Sequence, residues 1–393
     1  MSEKIKSLLL VGDGNSIFFI NYVRALKEQL DIEVTVYSPI EERFSYEKYP
    51  YDYVYFDNYG KSWLAKIRFF GRRLQPFFNR IHLNKFLKHN DKIYDIIHVH
   101  WVIHGWVLFP SIFKKYGKSF GTTLWGGELE ALKLFGSHKL YLSCLKKYLS
   151  LNDFCIDSFI MAERLYRLCP LLKGKCHYGI YGSSIIEELS KLNINTEEAK
   201  TNLNIPKDKT TILLGYSGKA IHRHIAIIDC ILDHPLFEYN KEKIHLIASM
   251  TRGASAKYIK SVKKRLLATG CTYTIIENVY QSDTEVAILR KATDIAFQLS
   301  VFDGLSNSVK EILIAGTVLI CGKWFPNYSV LKEDGYSYIE VEDIKSGVDE
   351  LYEIINNEKI GMEIKNINSR VDFKRYLWSE CIKNFINVYD QLQ

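Results

Sequence analysis

At 393 residues the chain is long for a single core, and two domains of similar size are expected. Hydrophobic residues at 47% and charged residues at 25% are ordinary globular values and exclude a largely disordered chain. The formal charge of +7 suits an anionic substrate or an anionic membrane surface and falls short of arguing for nucleic acid.

No stretch approaches the ~20 apolar residues of a membrane span. The run Leu8 to Val11 stops at Gly12-Asp13, too short for a signal peptide. The eight cysteines show no Cys-x-x-Cys pair and read as free thiols of a reducing cytoplasm. A cytoplasmic protein, soluble or peripheral on the inner face of the membrane, is expected.

In chain order, Leu8 to Val11 reads as a buried strand. Gly12 to Ser16 is a tight loop, and Ile17, Ile20, Val23 and Leu26 recur at helical spacing. Gly12-x-Gly14 lacks the third glycine of a dinucleotide fingerprint, and Ser16 as a helix cap explains the loop equally well. Glu33 to Tyr37 is a second strand. From Lys61 to Lys92, nine Lys and Arg residues stand against the single Asp91, interleaved with Trp63, Phe69, Phe70, Phe77, Phe78 and Phe86. This is either a bilayer-surface stretch or a solvated face over a local core.

Tyr94 to His100 is a strand, followed by a helix around Trp106 to Lys115 and a strand at Gly121 to Leu124. Strand ends face the ligand crevice of an open α/β sheet, which brings forward His100 and the turn Trp125-Gly126-Gly127-Glu128. His98 and His100 share a strand face as a metal pair would, but no third ligand is evident. Strands follow at 153–156 and 175–178, and the polar run 191–209 reads as a linker between a domain at 1–190 and a second at 210–372. The second domain opens with a strand running into the loop Gly215 to Gly218. It continues with strands at 244–248 and 273–277 and helices at 254–267 and 284–291. An amphipathic helix at 373–393 closes the chain.

The most informative stretch is Asp294 to Ile320. A short apolar strand leads to Asp303-Gly304; Val309, Ile312 and Leu313 then fall at helical spacing from about Ser306. Gly316 stands at a left-handed helix end, and a strand resumes. Backbone N–H groups at such a helix start attract phosphate, with Ser306, Asn307 and Ser308 as side-chain donors. Ser308-x-x-Glu311 also fits a capping box that needs no ligand.

Asp303, seven intervening residues and Glu311, opening a helix that ends in Ala-Gly before a strand, resembles the Glu-x7-Glu motif of retaining GT-B glycosyltransferases of family 4. The resemblance implies an α/β fold of two Rossmann-like doubly wound domains facing a central cleft, with the C-terminal helix returning to the first domain. It implies transfer of a sugar (EC 2.4, hexosyltransferase type) from a nucleotide diphosphate sugar to an acceptor hydroxyl. Retention, no metal and no further cofactor belong to that expectation. The setting implied is bacterial surface polysaccharide or glycoconjugate synthesis, with a sugar or lipid-linked saccharide as acceptor and no nucleic acid partner. A GT-B epimerase and an inactive nucleotide-sugar-binding module are the alternatives.

By the same resemblance, Glu311 holds the ribose and Asp303, one methylene shorter than the family's Glu, lies by the donor sugar, with His100 and Glu128 as further catalytic candidates. Gly12, Asn15, Trp125 and Gly126 line the donor side of the first domain. Where the family has a diphosphate-clamping Arg and Lys, this chain has Tyr216 and His222, so Ser217, Lys219, Arg223 and His224 are the substitutes. Val279 and Tyr280 fall at the base-binding loop, and Leu305, Ser306, Asn307 and Ser308 at the phosphate.

Overall fold

The computed structural model describes residues 5–42, 49–57, 71–100, 102, 106–107, 110–124, 139–251, 253–278 and 282–392. The chain divides into two compact units, Met1–Gly182 with Trp378–Gln393, and Ser183–Leu377. The first boundary therefore lies at Gly182 rather than near 190. The stretch read as a linker carries the helix Thr196–Asn202, opened by a capping box between Asn195 and Glu198. Its polarity is that of a solvated helix face: Ala199 and Lys200 are buried, while most of its neighbours are half-buried or exposed.

Unit 1 is a seven-stranded parallel sheet of order β3-β2-β1-β4-β5-β6-β7. Its strands are β1 Ser7–Val11, β2 Glu33–Ser38, β3 Tyr53–Phe56, β4 Tyr94–His100, β5 Gly117–Thr123, β6 Phe154–Asp157 and β7 Cys176–Tyr178. β1 and β4 are buried on both faces, which explains their nearly unbroken apolar character. The edge strand β3 escapes a reading by apolar runs because it alternates, exposing Tyr53 and Tyr55. The last helix, Trp378–Asp390, belongs to this unit and buries Trp378, Ile382, Phe385 and Tyr389 in the core formed with β1 and the helix Ile17–Gln29.

Within 61–92, the helix Gly71–Asn90 is described, with side chains from Phe78 onward. Leu83 and Leu87 are fully inside, and Phe86 packs on Tyr37 and Tyr55 with ring centroids 5.4 and 5.3 Å away. These apolar side chains close a local core; Arg80, Lys85 and Lys88 face water.

Unit 2 is a six-stranded parallel sheet of order β10-β9-β8-β11-β12-β13. Its strands are β8 Thr210–Leu213, β9 Ile244–Ser249, β10 Thr272–Ile276, β11 Ile295–Gln298, β12 Val318–Gly322 and β13 Ile339–Val341. Strand order reverses at β1/β4 in unit 1 and at β8/β11 in unit 2, the positions where open α/β sheets part their loops and bind ligands.

Candidate functional site

In unit 2, β11 leads through Ser300 to Asp303 and then to the helix Asn307–Ile314. Ser306 caps this helix by accepting the Ser308 amide at 3.2 Å, so the Ser308/Glu311 capping box does not form. Gly316 ends it with φ +85°, as the sequence anticipates. Lys310 turns back to donate to Asn307 Oδ1 at 2.7 Å. Leu305, Ser306, Asn307 and Ser308 are all half-buried around the helix start.

Asp303 is held by one oxygen. Its Oδ2 accepts from Tyr216 Oη at 2.7 Å, from Tyr328 Oη at 2.6 Å and from the Gln298 amide. Burial pushes its carboxyl up to about 6, opposed by the Tyr328 and Tyr216 hydroxyls, the Gly304 amide and the charge of nearby Lys219. Tyr216, at the position where the motif resemblance led us to expect an arginine, thus serves the acid. Of the three cradle residues only Gln298 had a local signal, a lone amide in an apolar strand. Tyr216 and Tyr328 arrive from other loops.

Glu311 is more deeply placed than its expected role suggests, at 3% exposure. Its Oε2 takes Arg290 Nη2 at 3.2 Å, and its Oε1 takes Ser183 Oγ at 2.8 Å. Arg290 is itself 4% exposed, so the two form a buried ion pair that sequence reasoning missed.

The loop after β8 carries the remaining cations. Lys219 is exposed. Arg223 adopts a left-handed backbone (φ 60°), and its guanidinium lies 5.6 Å from the Trp324 ring centre. Neither has an acidic partner among the described residues. His224 supplies no cation: it is fully buried on Tyr258 Oη at 3.2 Å, and burial pushes it down to about 4. His222, packed edge-on against Tyr216, is likewise pushed down to about 3 by burial. Ser217 is half-buried beside Tyr216.

In unit 1 the loop after β1 is tightly built. A Cβ on Gly12 would sit 3.0 Å from the His100 carbonyl. Asn15 is 7% exposed; its amide reaches the Glu41 carbonyl at 3.1 Å, and its Oδ1 accepts from Tyr49 at 2.9 Å. Asn15 therefore ties the loop rather than projecting from it. Ser16 occupies the cap position without a side-chain bond.

His98 is bonded through both ring nitrogens, to Tyr389 Oη at 2.6 Å and Thr123 Oγ1 at 2.9 Å, which leaves neither for a metal. His100 bonds Tyr181 Oη through Nδ1, its Nε2 has no partner, and burial pushes it down to about 3. Both imidazoles are fully enclosed. No group of three His, Cys, Asp or Glu side chains suited to a metal occurs among the described residues. Trp125, Gly126, Glu128, Val279 and Tyr280, and residues 61–70, lie outside the described residues.

No protein-family model matches the chain, and no curated protein matches it in sequence. Solved structures do match in fold. HepE of Anabaena, solved with UDP and glucose, aligns at TM-score 0.71 and 12% identity over 99% of this chain and all (100%) of that one. A sucrose-phosphate synthase from Thermosynechococcus elongatus aligns at 0.68 and 12%, covering 98% and 99% of the two chains. A glycosyltransferase from Rickettsia africae aligns at 0.67 and 12%, covering 99% of each. The chain has the α/β fold of GT-B glycosyltransferase structures. At these identities the likeness is one of fold.

Proposed function

We propose that this protein is a glycosyltransferase that moves a sugar from a nucleotide diphosphate donor to an acceptor hydroxyl. The observation that carries this reading is the cradled Asp303 at the strand-order reversal of unit 2, immediately before the helix start at Ser306 to Ser308. That HepE was solved with UDP and glucose supports a donor of this class.

In this reading the leaving diphosphate gathers charge as the glycosidic bond loosens. The helix start, Ser306, Asn307 and Ser308, with Lys219 and Arg223, stabilise it. Asp303, fixed by Tyr216, Tyr328 and Gln298, accepts from a hydroxyl of the donor sugar. A ribose hydroxyl replaces the Ser183 hydroxyl on Glu311, which stays paired with Arg290. With the leaving-group charge borne by these protein donors and cations, no metal is required in the proposal, and transfer with retention is proposed from the motif resemblance at Asp303 and Glu311. A saccharide of a bacterial surface polymer is the proposed acceptor.

The test is incubation with a panel of nucleotide sugars, read by mass spectrometry for slow donor hydrolysis, with and without EDTA. Hydrolysis of one donor that persists in EDTA is expected. Absence of both hydrolysis and calorimetric binding across the panel would overturn the reading, and binding without turnover would favour an inactive module.

A further inference from the structure

Four of the eight cysteines gather in one core of unit 1: Cys155 and Cys169 inside it, Cys144 and Cys176 packed against it. Two of them stand opposite each other. Cys155 on β6 is the register partner of Cys176 on β7, and the Cys155 amide bonds the Lys175 carbonyl at 2.8 Å. Paired residues of adjacent parallel strands lie about 4.8 Å apart, inside the ~4.4–6.8 Å Cα range that a disulfide spans. As register partners, their side chains share a sheet face. β7 is a three-residue edge strand, paired on one side only, so it can shift to meet disulfide geometry.

The pair is asymmetric in the sense that exchange requires. Cys155 is 1% exposed and Cys176 is half-buried, so a reagent reaches Cys176 first. The Cys155 thiol and the Tyr166 hydroxyl hold Cys176 below the usual thiol range, while the same pairing, and then burial, raise Cys155. Cys169, a second thiol inside this core, is turned toward the Lys146 carbonyl at 3.8 Å.

We propose that Cys155 and Cys176 are a thiol–disulfide exchange site that closes into a reversible disulfide on reaction with a small-molecule disulfide. The Cys176 thiolate attacks one sulfur of the reagent, whose S–S bond breaks and releases the first thiolate. Cys155 then loses its proton and attacks the Cys176 sulfur of the mixed disulfide, expelling the second thiolate. Two protein thiols are oxidised and one external disulfide is reduced to two thiols. The product ties the edge strand covalently to the sheet directly before residues 179–182, where the chain leaves unit 1.

The experiment treats the full chain with oxidised glutathione, alkylates remaining thiols in denaturant and maps peptides by mass spectrometry. The wild type is expected to lose two of its eight thiols, with the Cys155 and Cys176 peptides linked and dithiothreitol restoring both. Cys155→Ala should instead accumulate glutathione on Cys176, and Cys169→Ala should leave the link intact. Failure to lose thiols, a link through Cys144 or Cys169, or stable glutathione on wild-type Cys176 without a link would each overturn the proposal. The wild-type measurement decides the matter even where a variant folds poorly, and it is independent of nucleotide binding.

Discussion

At the carboxyl ends of β1 and β4, unit 1 places two enclosed imidazoles among the rings of Phe19, Tyr22, Tyr181 and Tyr389. At the matching edge of unit 2, β8 and β11 lead to a cradled carboxylate, a buried ion pair and two cations without acidic partners among the described residues. The topology is shared and the chemistry is not. The first edge is closed around its imidazoles by hydroxyl–imidazole bonds; the second encloses the charges of Glu311 and Arg290 in low-dielectric surroundings, where charge is worth most. In the proposed function, phosphate handling is therefore assigned to unit 2.

The sharpest way to break this contrast is at Glu311. Glu311→Ala strands the buried Arg290 cation, and a loss of about 3–5 kcal/mol in urea unfolding is expected. Replacing both partners, as in Glu311→Leu with Arg290→Met, should recover most of it; a double variant no better than the single one would show that the pair is not coupled. Because stability and the proposed ribose contact share this residue, Ser183→Ala is the cleaner probe of the nucleotide and should leave its affinity near wild type or tighter.

Asp303 comes next. Its folded pKa of about 6 lies above the usual value of 3.8, so the folded state binds the proton more readily, and this group's contribution to stability falls as pH rises from about 4 to about 6. Asp303→Asn keeps an acceptor for Tyr216 and Tyr328. It should stabilise the protein at pH 7 by about 1–3 kcal/mol and lower turnover about 10–100-fold. A melting-temperature gain equal at pH 4 and pH 7 would contradict the assigned ionisation.

In unit 1 the sign reverses. His100, pushed down to about 3, is neutral when folded and protonates near 6.5 when unfolded. Its contribution is complete above about 6.5 and is lost as pH falls toward 3, about 2 kcal/mol by pH 5. His100→Phe should flatten the loss between pH 7 and pH 5 in thermal unfolding; an unchanged slope would assign the acid sensitivity elsewhere.

The smallest effect concerns the basic helix. With Leu83, Leu87 and Phe86 spent on the core, the described part of 61–92 offers a bilayer one exposed apolar side chain, Ile81, and its exposed cations, each worth about 1 kcal/mol near an anionic surface. Weak co-sedimentation with anionic vesicles at low salt is expected, lowered further by Lys85→Glu with Lys88→Glu. No sedimentation at low salt would end the membrane reading.

What could be read in advance was local. The apolar runs of β1, β4 and β11, the helix start at Ser306 and the left-handed Gly316 are encoded within windows of a few residues, where spacing and backbone preference act directly. β3 was not legible because an edge strand needs no buried face on both sides. The true unit boundary was not legible either, because the polar residues near 191–209 belong as readily to a solvated helix as to a linker.

The sequence by itself determined the alternation of strands and helices and put two acids, Asp303 and Glu311, eight positions apart around a helix start. The tertiary structure decided what those acids are. Tyr216 reaches Asp303 across 87 positions and Ser183 reaches Glu311 across 128. Neither pairing leaves a trace in local periodicity, because such partners are chosen by how the sheet closes. Burial, which sets the pKa of Asp303 and the cost of separating Arg290 from Glu311, exists only once the chain has folded around them.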